Sequence, residues 1–287
     1  MSINWPTELI EMLAKRRCVV FLGAGVSNNS VSPAGARPPT WSGFLADALT
    51  ICENPKAHIK AYLKSGDYLS ACDLIREKLG EEWINLLRQK FVHPGYIPAA
   101  IHEHLFNLDT RIYVTPNFDK IFDRHALQAS GGTIAIKSYS DEDVSSISRG
   151  QDRYILKIHG DIDNPQRLIF TRKQYAEARV KYPSVYNVFE SLLVTNCFLF
   201  VGCGLSDPDI SLLLENYRFF HTYGSPHYFI LPKTIHPDNV RMLRETRNLK
   251  ILQYDKKDNH SQLTAALKEL VALTENRRAE IALTSSW

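Results

Sequence analysis

Apolar positions along the chain fall into short unbroken runs separated by longer stretches with helical spacing. The runs CVVFL (18–22), RIYVT (111–115), TIAIK (133–137), YILKI (154–158), CFLFV (197–201), HYFIL (227–231) and KILQY (250–254) are β-branched and aromatic. Their length and composition predict buried strands. Helical spacing occupies 5–16, 118–128, 172–194 with a break near Pro183, 207–221, 236–245 and 261–275. The last dozen residues show no pattern. Strand alternating with helix predicts an α/β fold, with a parallel sheet covered on both faces. Gly23 to Thr40 reads as a loop, and 41–107 is helical almost throughout, without a strand. The expected organisation is a single domain with a core of 1–40 and 108–287 and an inserted helical subdomain at 41–107.

Bulk properties narrow the classes. The chain has 287 residues, enough to bury a sizeable core. Its 34 basic residues nearly balance 31 acidic ones, so no strong field for nucleic acid is expected. No apolar run approaches the roughly 18–20 residues that span a bilayer. The amino terminus lacks a signal-peptide core, so a cytoplasmic location is expected. The five cysteines are scattered and mostly sit in apolar segments, with no CxxC pair. That spacing argues against a disulfide framework and a structural zinc site.

Chemistry concentrates where the runs end. FLGAGVS (21–27), TPNFD (115–119), KIHGD (157–161) and FVGCGLSD (200–207) each pass from an apolar run into Gly, Asn, Asp or His. In an open parallel sheet, ligands bind beyond the carboxyl ends of the strands. Gly23, Ala24 and Gly25 would let backbone approach a pyrophosphate, and Ser27 adds a hydroxyl. A plain strand-to-loop turn is the alternative, and Asn28 breaks the GxGxxG spacing of hydride-transfer enzymes. Asn117 can hold a ribose hydroxyl or a water while Asp119 orients its neighbours; either could instead cap the next helix. Histidine side chains ordinarily titrate near neutral pH, so His159 is a candidate general base. Gly202 and Gly204 permit close approach to a ligand, and Ser206 can bond a phosphate or ribose oxygen. Ser206 or Asp207 also suits a helix N-cap before Pro208. Nothing in the sequence beside Cys203 marks it as an activated nucleophile.

Together these motifs resemble the sirtuin family, in its bacterial defence-associated branch. GAGVS is similar to the family's phosphate loop, TPNFD to its Thr-x-Asn-x-Asp strand end, IHGD to its catalytic His-Gly and GCGLSD to its later Gly-Ser loop. The resemblance runs from about Val19 to about Leu270. It implies a Rossmann-like, doubly wound fold that binds NAD, with Asn117 and His159 around the nicotinamide ribose and Asp119 in support. Gly23, Ala24, Gly25, Ser27, Thr115, Gly202, Gly204, Ser206 and Asp207 would cradle the rest of the dinucleotide.

Two departures bear on activity. The protein deacylases of the family carry a four-cysteine zinc module after the His-Gly strand, whereas residues 161–196 contain no cysteine. The segment after GAGVS reads SPAGARPPTW in place of the deacylases' Pro-Asp-Phe-Arg stretch. Both fit the branch that hydrolyses NAD to nicotinamide and ADP-ribose during phage infection, with no metal. An NAD-dependent deacylase or ADP-ribosyltransferase and a non-catalytic NAD or ADP-ribose sensor are the alternatives. With the sirtuin-like domain filling the chain, control is expected from a homo-oligomer, from a separate partner, or from both. The resemblance suggests a HerA-like hexameric ATPase as that partner.

Overall fold

The computed structural model describes residues 3–150, 152–204 and 207–284. Seven strands form one parallel sheet: β1 (Cys18–Leu22), β2 (Ile112–Thr115), β3 (Ala135–Ser138), β4 (Tyr154–Lys157), β5 (Cys197–Val201), β6 (His227–Pro232) and β7 (Leu249–Tyr254). Their order is β3-β4-β2-β1-β5-β6-β7, so β2, β3 and β4 lie on one side of β1 and β5, β6 and β7 on the other. The order reverses between β1 and β5, where Leu22 pairs with Val201. A doubly wound sheet opens its ligand crevice at such a point.

The unbroken apolar runs arise because both faces of the sheet are covered. Val20 and Leu22 of β1 point with Tyr113, Ile155, Leu199 and Val201 into one core. Helices Thr7–Ala14, Ala100–Asn107, Ile121–Ala129 and Lys257–Thr284 close it. Val19 and Phe21 point the other way, with Val114, Leu156, Phe198, Phe200 and Phe229. There they meet helices Arg172–Lys181, Pro183–Thr195, Pro208–Phe220 and Pro237–Arg247. Phe21, Phe198 and Phe200 are at most 2% exposed, a burial of about 1.5–3 kcal/mol each.

Between β1 and β2, helices Trp41–Ile51, Ala57–Ser65, Tyr68–Leu79 and Glu82–Phe91 build a third core around Phe44, Leu45, Ile75, Trp83 and Leu87. Ile162, Leu168 and Phe170, from the chain after β4, complete it. The helical segment is thereby packed onto the loops at the carboxyl end of the sheet.

Several boundaries differ from the sequence expectation. Residues Ala24–Ser27 form a short helix within the expected loop. The helix expected from 118 begins at Ile121, because the Asp119 carboxylate accepts the Ile121 N–H at 2.9 Å and holds 117–120 outside it. The third strand starts at Ala135, after a turn closed by Gly131 and Gly132, both at positive φ. The carboxyl-terminal helix reaches Thr284, past a kink at Asp258–His260, where no pattern was expected. Its last turns have no apolar stripe, and polar contacts dock them. Arg278 donates to the carbonyls of Leu13, Ala14, Leu108 and Asp109, and Arg277 pairs with Glu11 at 2.5 Å. Among the described residues no two cysteines are joined; four are buried and Cys203 is partly exposed. Among the described residues no helix is long and apolar enough to cross a membrane.

Candidate active site

The glycines after β1 and β5 exist for each other. Gly23 donates its N–H to the Val201 carbonyl at 2.9 Å, and Gly25 to the Gly202 carbonyl at 2.7 Å. A Cβ at Gly23 would lie 2.4 Å from the Cys203 Cβ, and one at Gly25 2.8 Å from the Gly202 oxygen. Gly202 has φ +67°, and a Cβ there would stand 2.7 Å from the Val26 nitrogen. Only glycine allows the two loops to lie this close. They form the floor of a cleft of about 630 Å³ at the switch point, within the usual range for small-molecule sites.

Gly23, Ala24, Ser27, Asn117, Asp119, His159, Gly202, Gly204 and Asp207 all line this cleft. Two of the sequence candidates do not. Thr115 is buried beneath it, where its hydroxyl donates to the Leu22 carbonyl at 2.7 Å and accepts the Asn117 N–H at 3.0 Å. Gly25 is also set back, its N–H spent on Gly202. Ser206 lies outside the described residues.

On one wall, a polar chain joins three candidates. Asn117 Nδ2 donates to the Gly23 carbonyl at 3.0 Å and to Ser27 Oγ at 3.1 Å. Ser27 in turn donates to Asp119 Oδ2 at 2.8 Å. The Ser27 proton is therefore committed to Asp119, and the Asn117 amide is fixed in orientation with its Nδ2 turned to the protein. Asp119 acts as a brace, one oxygen on Ser27 and the other on the Ile121 N–H.

On another wall stands His159, just past β4. Its Nε2 lies 2.9 Å from Asp207 Oδ2 and 3.1 Å from the Tyr175 hydroxyl, and that hydroxyl donates to the same carboxylate oxygen at 2.6 Å. Asp207 Oδ1 accepts the Ile210 N–H at 2.9 Å, so the residue is also the N-cap of Pro208–Phe220. Burial alone would raise the Asp207 carboxyl, but the His159 ring and the hydrogen bonds outweigh it and hold it down at about 2. The Tyr175 hydroxyl is pushed well above its ordinary range by burial and by the Asp207 charge.

Beneath these walls lies a buried ion cluster. Lys157, the last residue of β4, is 1% exposed. Its ammonium contacts Asp123 at 2.7 Å and Asp161 at 3.1 Å and donates to the Asp119 carbonyl at 2.6 Å. Lys120 adds contacts to Asp161 at 2.9 Å and Asp163 at 3.0 Å. The cluster ties the Asn117 loop to the His159 loop. Burial keeps the Asp123 carboxyl above its ordinary value despite Lys157 beside it.

The outer wall comes from the helical segment. Trp41 stacks on Phe170 with centroids 5.0 Å apart, and Phe118 meets Phe170 edge-on at 5.0 Å. At the rim, Arg172 pairs with Asp67 at 2.9 Å across from the helical segment. Among the described residues, no group of His, Cys, Asp and Glu is arranged to hold a metal ion.

Residues 111–252 match a family model described as the SIR2-like domain. Over that stretch the chain is similar to the SIR2-like domain. The match begins just before β2 and ends within β7, so it takes in Asn117, His159, Gly202 and Asp207. The NAD(+) hydrolase ThsA of Acinetobacter baumannii (strain 532279) is 29% identical over 236 residues, covering 80% of this chain and 45% of that protein. Defense-associated sirtuin 2 of Bacillus subtilis is 26% identical over 213 residues, covering 72% and 20%. ThsA of Cytobacillus dafuensis is 23% identical over 242 residues, covering 79% and 45%. The chain thus spans less than half the length of each of these relatives.

Within the matched stretch, sequence reasoning passed over Tyr175, Lys157 and Asp123. The lysine of KIHGD was the available signal, since a Lys closing an apolar strand that is covered on both faces must find buried anions.

Proposed function

We propose that this chain is an NAD(+) hydrolase that cleaves the nicotinamide–ribose bond and depletes NAD in antiphage defence. The observation that carries the reading is the pairing of the Asn117 wall and the His159 wall across one glycine-floored cleft. The ThsA relatives are named NAD(+) hydrolases, which supports it. So does the name of the defence-associated sirtuin.

The residues fit the substrate. Backbone at Gly23, Ala24, Gly202 and Gly204 can approach a pyrophosphate without Cβ atoms intervening, and the Trp41–Phe170 wall offers flat apolar surface. Nicotinamide leaves a cationic glycosidic nitrogen as a neutral base, so the ribose passes through an oxocarbenium-like state. Asn117, fixed by Ser27 and Gly23, orients the ribose and the attacking water, and its carboxamide oxygen is the atom available to them. His159 takes the proton as the water oxygen bonds to the ribose carbon. The products are nicotinamide, ADP-ribose and one proton. The reaction needs no metal ion. Ser206 joins the dinucleotide contacts in this reading.

An NAD-depleting enzyme must be held in check. We assign that control to homo-oligomerisation, with residues 41–107 as an inserted helical subdomain and candidate interface. A separate partner such as a HerA-like ATPase, in the cytoplasm, completes the proposal. The test is nicotinamide release from NAD by the purified chain at several protein concentrations, beside His159→Ala. Turnover that the variant lacks supports the reading. Release only in the presence of an acyl-lysine peptide or a protein acceptor replaces it with a transferase. Tight NAD binding without turnover in any assembly state replaces it with a sensor.

A further inference from the structure

His159 has two ring nitrogens, and the contacts around it distinguish them. Nε2 faces Asp207 Oδ2 at 2.9 Å and Tyr175 Oη at 3.1 Å. An ionised carboxylate has no proton to give, so a contact this short requires that Nε2 carry the hydrogen. Tyr175 cannot supply it instead, because its own proton goes to Asp207 at 2.6 Å. Nδ1 has no hydrogen-bond partner among the described residues. The neutral ring is therefore protonated at Nε2, with its lone pair at Nδ1.

Asp207 is itself held. Oδ1 is engaged by the Ile210 N–H at 2.9 Å, which fixes the plane of the carboxylate and leaves Oδ2 for His159. Tyr175 comes from a different helix, and its ring packs edge-on against the imidazole at 5.2 Å. Three elements, the loop after β4 and two helices, thus converge on one imidazole.

We propose that Asp207, with Tyr175, is a positioning residue that locks His159 in its Nε2–H tautomer and so makes Nδ1 the basic atom of the site. The assignment of Nδ1 as base rests on the hydrolase reading above; the tautomer does not. It also gives Asp207 a duty other than contact with the dinucleotide, the role expected for it from sequence.

Asp207→Asn is the discriminating variant. With Oδ1 still capping Ile210, the amide NH₂ takes the place of Oδ2 and donates to Nε2, forcing the proton to Nδ1. The same substitution at the carboxylate of a Ser-His-Asp triad imposes the wrong tautomer in this way. The experiment records long-range ¹H–¹⁵N spectra of the ¹⁵N-labelled full chain on the basic side of the histidine titration. The His159 signals are identified by their loss in His159→Gln. The expected result is Nε2–H in the wild type and Nδ1–H in Asp207→Asn. For NAD hydrolysis, kcat of Asp207→Asn should fall on the order of 10²-fold or more, with KM changed less than about threefold.

A wild-type ring protonated at Nδ1 overturns the proposal. So does an Asp207→Asn enzyme with normal kcat and a raised KM, which would return Asp207 to substrate contact. If the wild type releases no nicotinamide, the hydrolase reading fails while the spectra still decide the anchor. If Asp207→Asn does not fold, Tyr175→Phe takes its place beside the wild-type spectrum. It should keep Nε2–H, and lose that tautomer only if Asp207 is not the anchor.

Discussion

Gly25 donates its backbone N–H to the Gly202 carbonyl at 2.7 Å, stitching the loop after β1 to the loop after β5. The stitch lies at the switch point of the sheet and sets the floor of the cleft. Alanine at Gly202 would combine a φ of +67° with a Cβ 2.7 Å from the Val26 nitrogen. Gly202→Ala is therefore expected to cost about 1–3 kcal/mol and to weaken NAD binding. Gly204 borders the same cleft, yet nothing lies within 4 Å of a Cβ there. Gly204→Ala should keep wild-type stability, so any loss of NAD affinity in it reports a direct clash with ligand. Urea melts and calorimetric titration of both variants separate the two effects.

Asn117 is expected to matter for turnover more than for folding. Removing its amide leaves the Gly23 carbonyl and Ser27 Oγ each short of a donor at a partly exposed site, a cost of about 1–2 kcal/mol. Asn117→Ala should stay folded at 25 °C and release nicotinamide at a rate at least about 100-fold below wild type. Ser27→Ala acts one step back, freeing the Asn117 amide and stripping Asp119 of a donor. A smaller loss of kcat, about tenfold, is expected from it. Retention of near wild-type turnover by Asn117→Ala would remove it from the reacting centre.

The strand ends were the legible part of this protein. Four of the seven apolar runs end in residues that make no sense in a buried strand, and the sheet brings those ends to one cleft. Asn117 and His159 were found that way. What the sequence hid were contacts between elements. Tyr175 sits among residues of helical spacing and reads as core, because nothing local marks its hydroxyl as reaching a histidine 16 positions away. Asp207 looked like a cap or a ligand contact, and its second oxygen turned to His159. Thr115 and Gly25 belong to the strand-end motifs but serve the scaffold beneath the cleft. The final turns of the last helix were invisible because arginines docking on carbonyls leave no apolar period.

Lys157 should prove the most sensitive buried charge. At 1% exposure it sits against Asp123 and Asp161 and holds the Asp119 carbonyl. Lys157→Met would leave the equally buried Asp123 only the longer contact to Lys120 at 3.6 Å, at a cost of about 3 kcal/mol. The double variant Lys157→Met, Asp123→Leu removes both charges and should recover much of that loss. Because the cluster also aligns the Asn117 and His159 loops, recovery of stability in the double variant without recovery of kcat is expected. Matched urea melts and nicotinamide assays would show it.

Two histidines away from the cleft make folding sensitive to mild acid. His102 and His227 are at most 1% exposed, and each has an Nε2 with no hydrogen-bond partner among the described residues. In each, Nδ1 accepts a backbone N–H, from Ala99 at 3.0 Å and from Phe198 at 3.2 Å. Burial, the leading cause in both, lowers them from 6.5 to about 4. The folded state thus stays neutral at these sites while the unfolded chain takes up protons. Stability contributed by the neutral rings is complete above about pH 6.5 and is lost as the pH falls toward 4, with an upper bound of about 3 kcal/mol per residue. The held-down carboxylate of Asp207 adds its own loss only at lower pH, between the ordinary Asp value of 3.8 and about 2. Urea melts at pH 7.5, 6, 5 and 4.5 should therefore show a falling midpoint across the histidine window. His227→Gln keeps an acceptor for the Phe198 N–H and cannot charge, so its slope should drop by close to one proton; an unchanged slope would mean that His227 does not carry the effect.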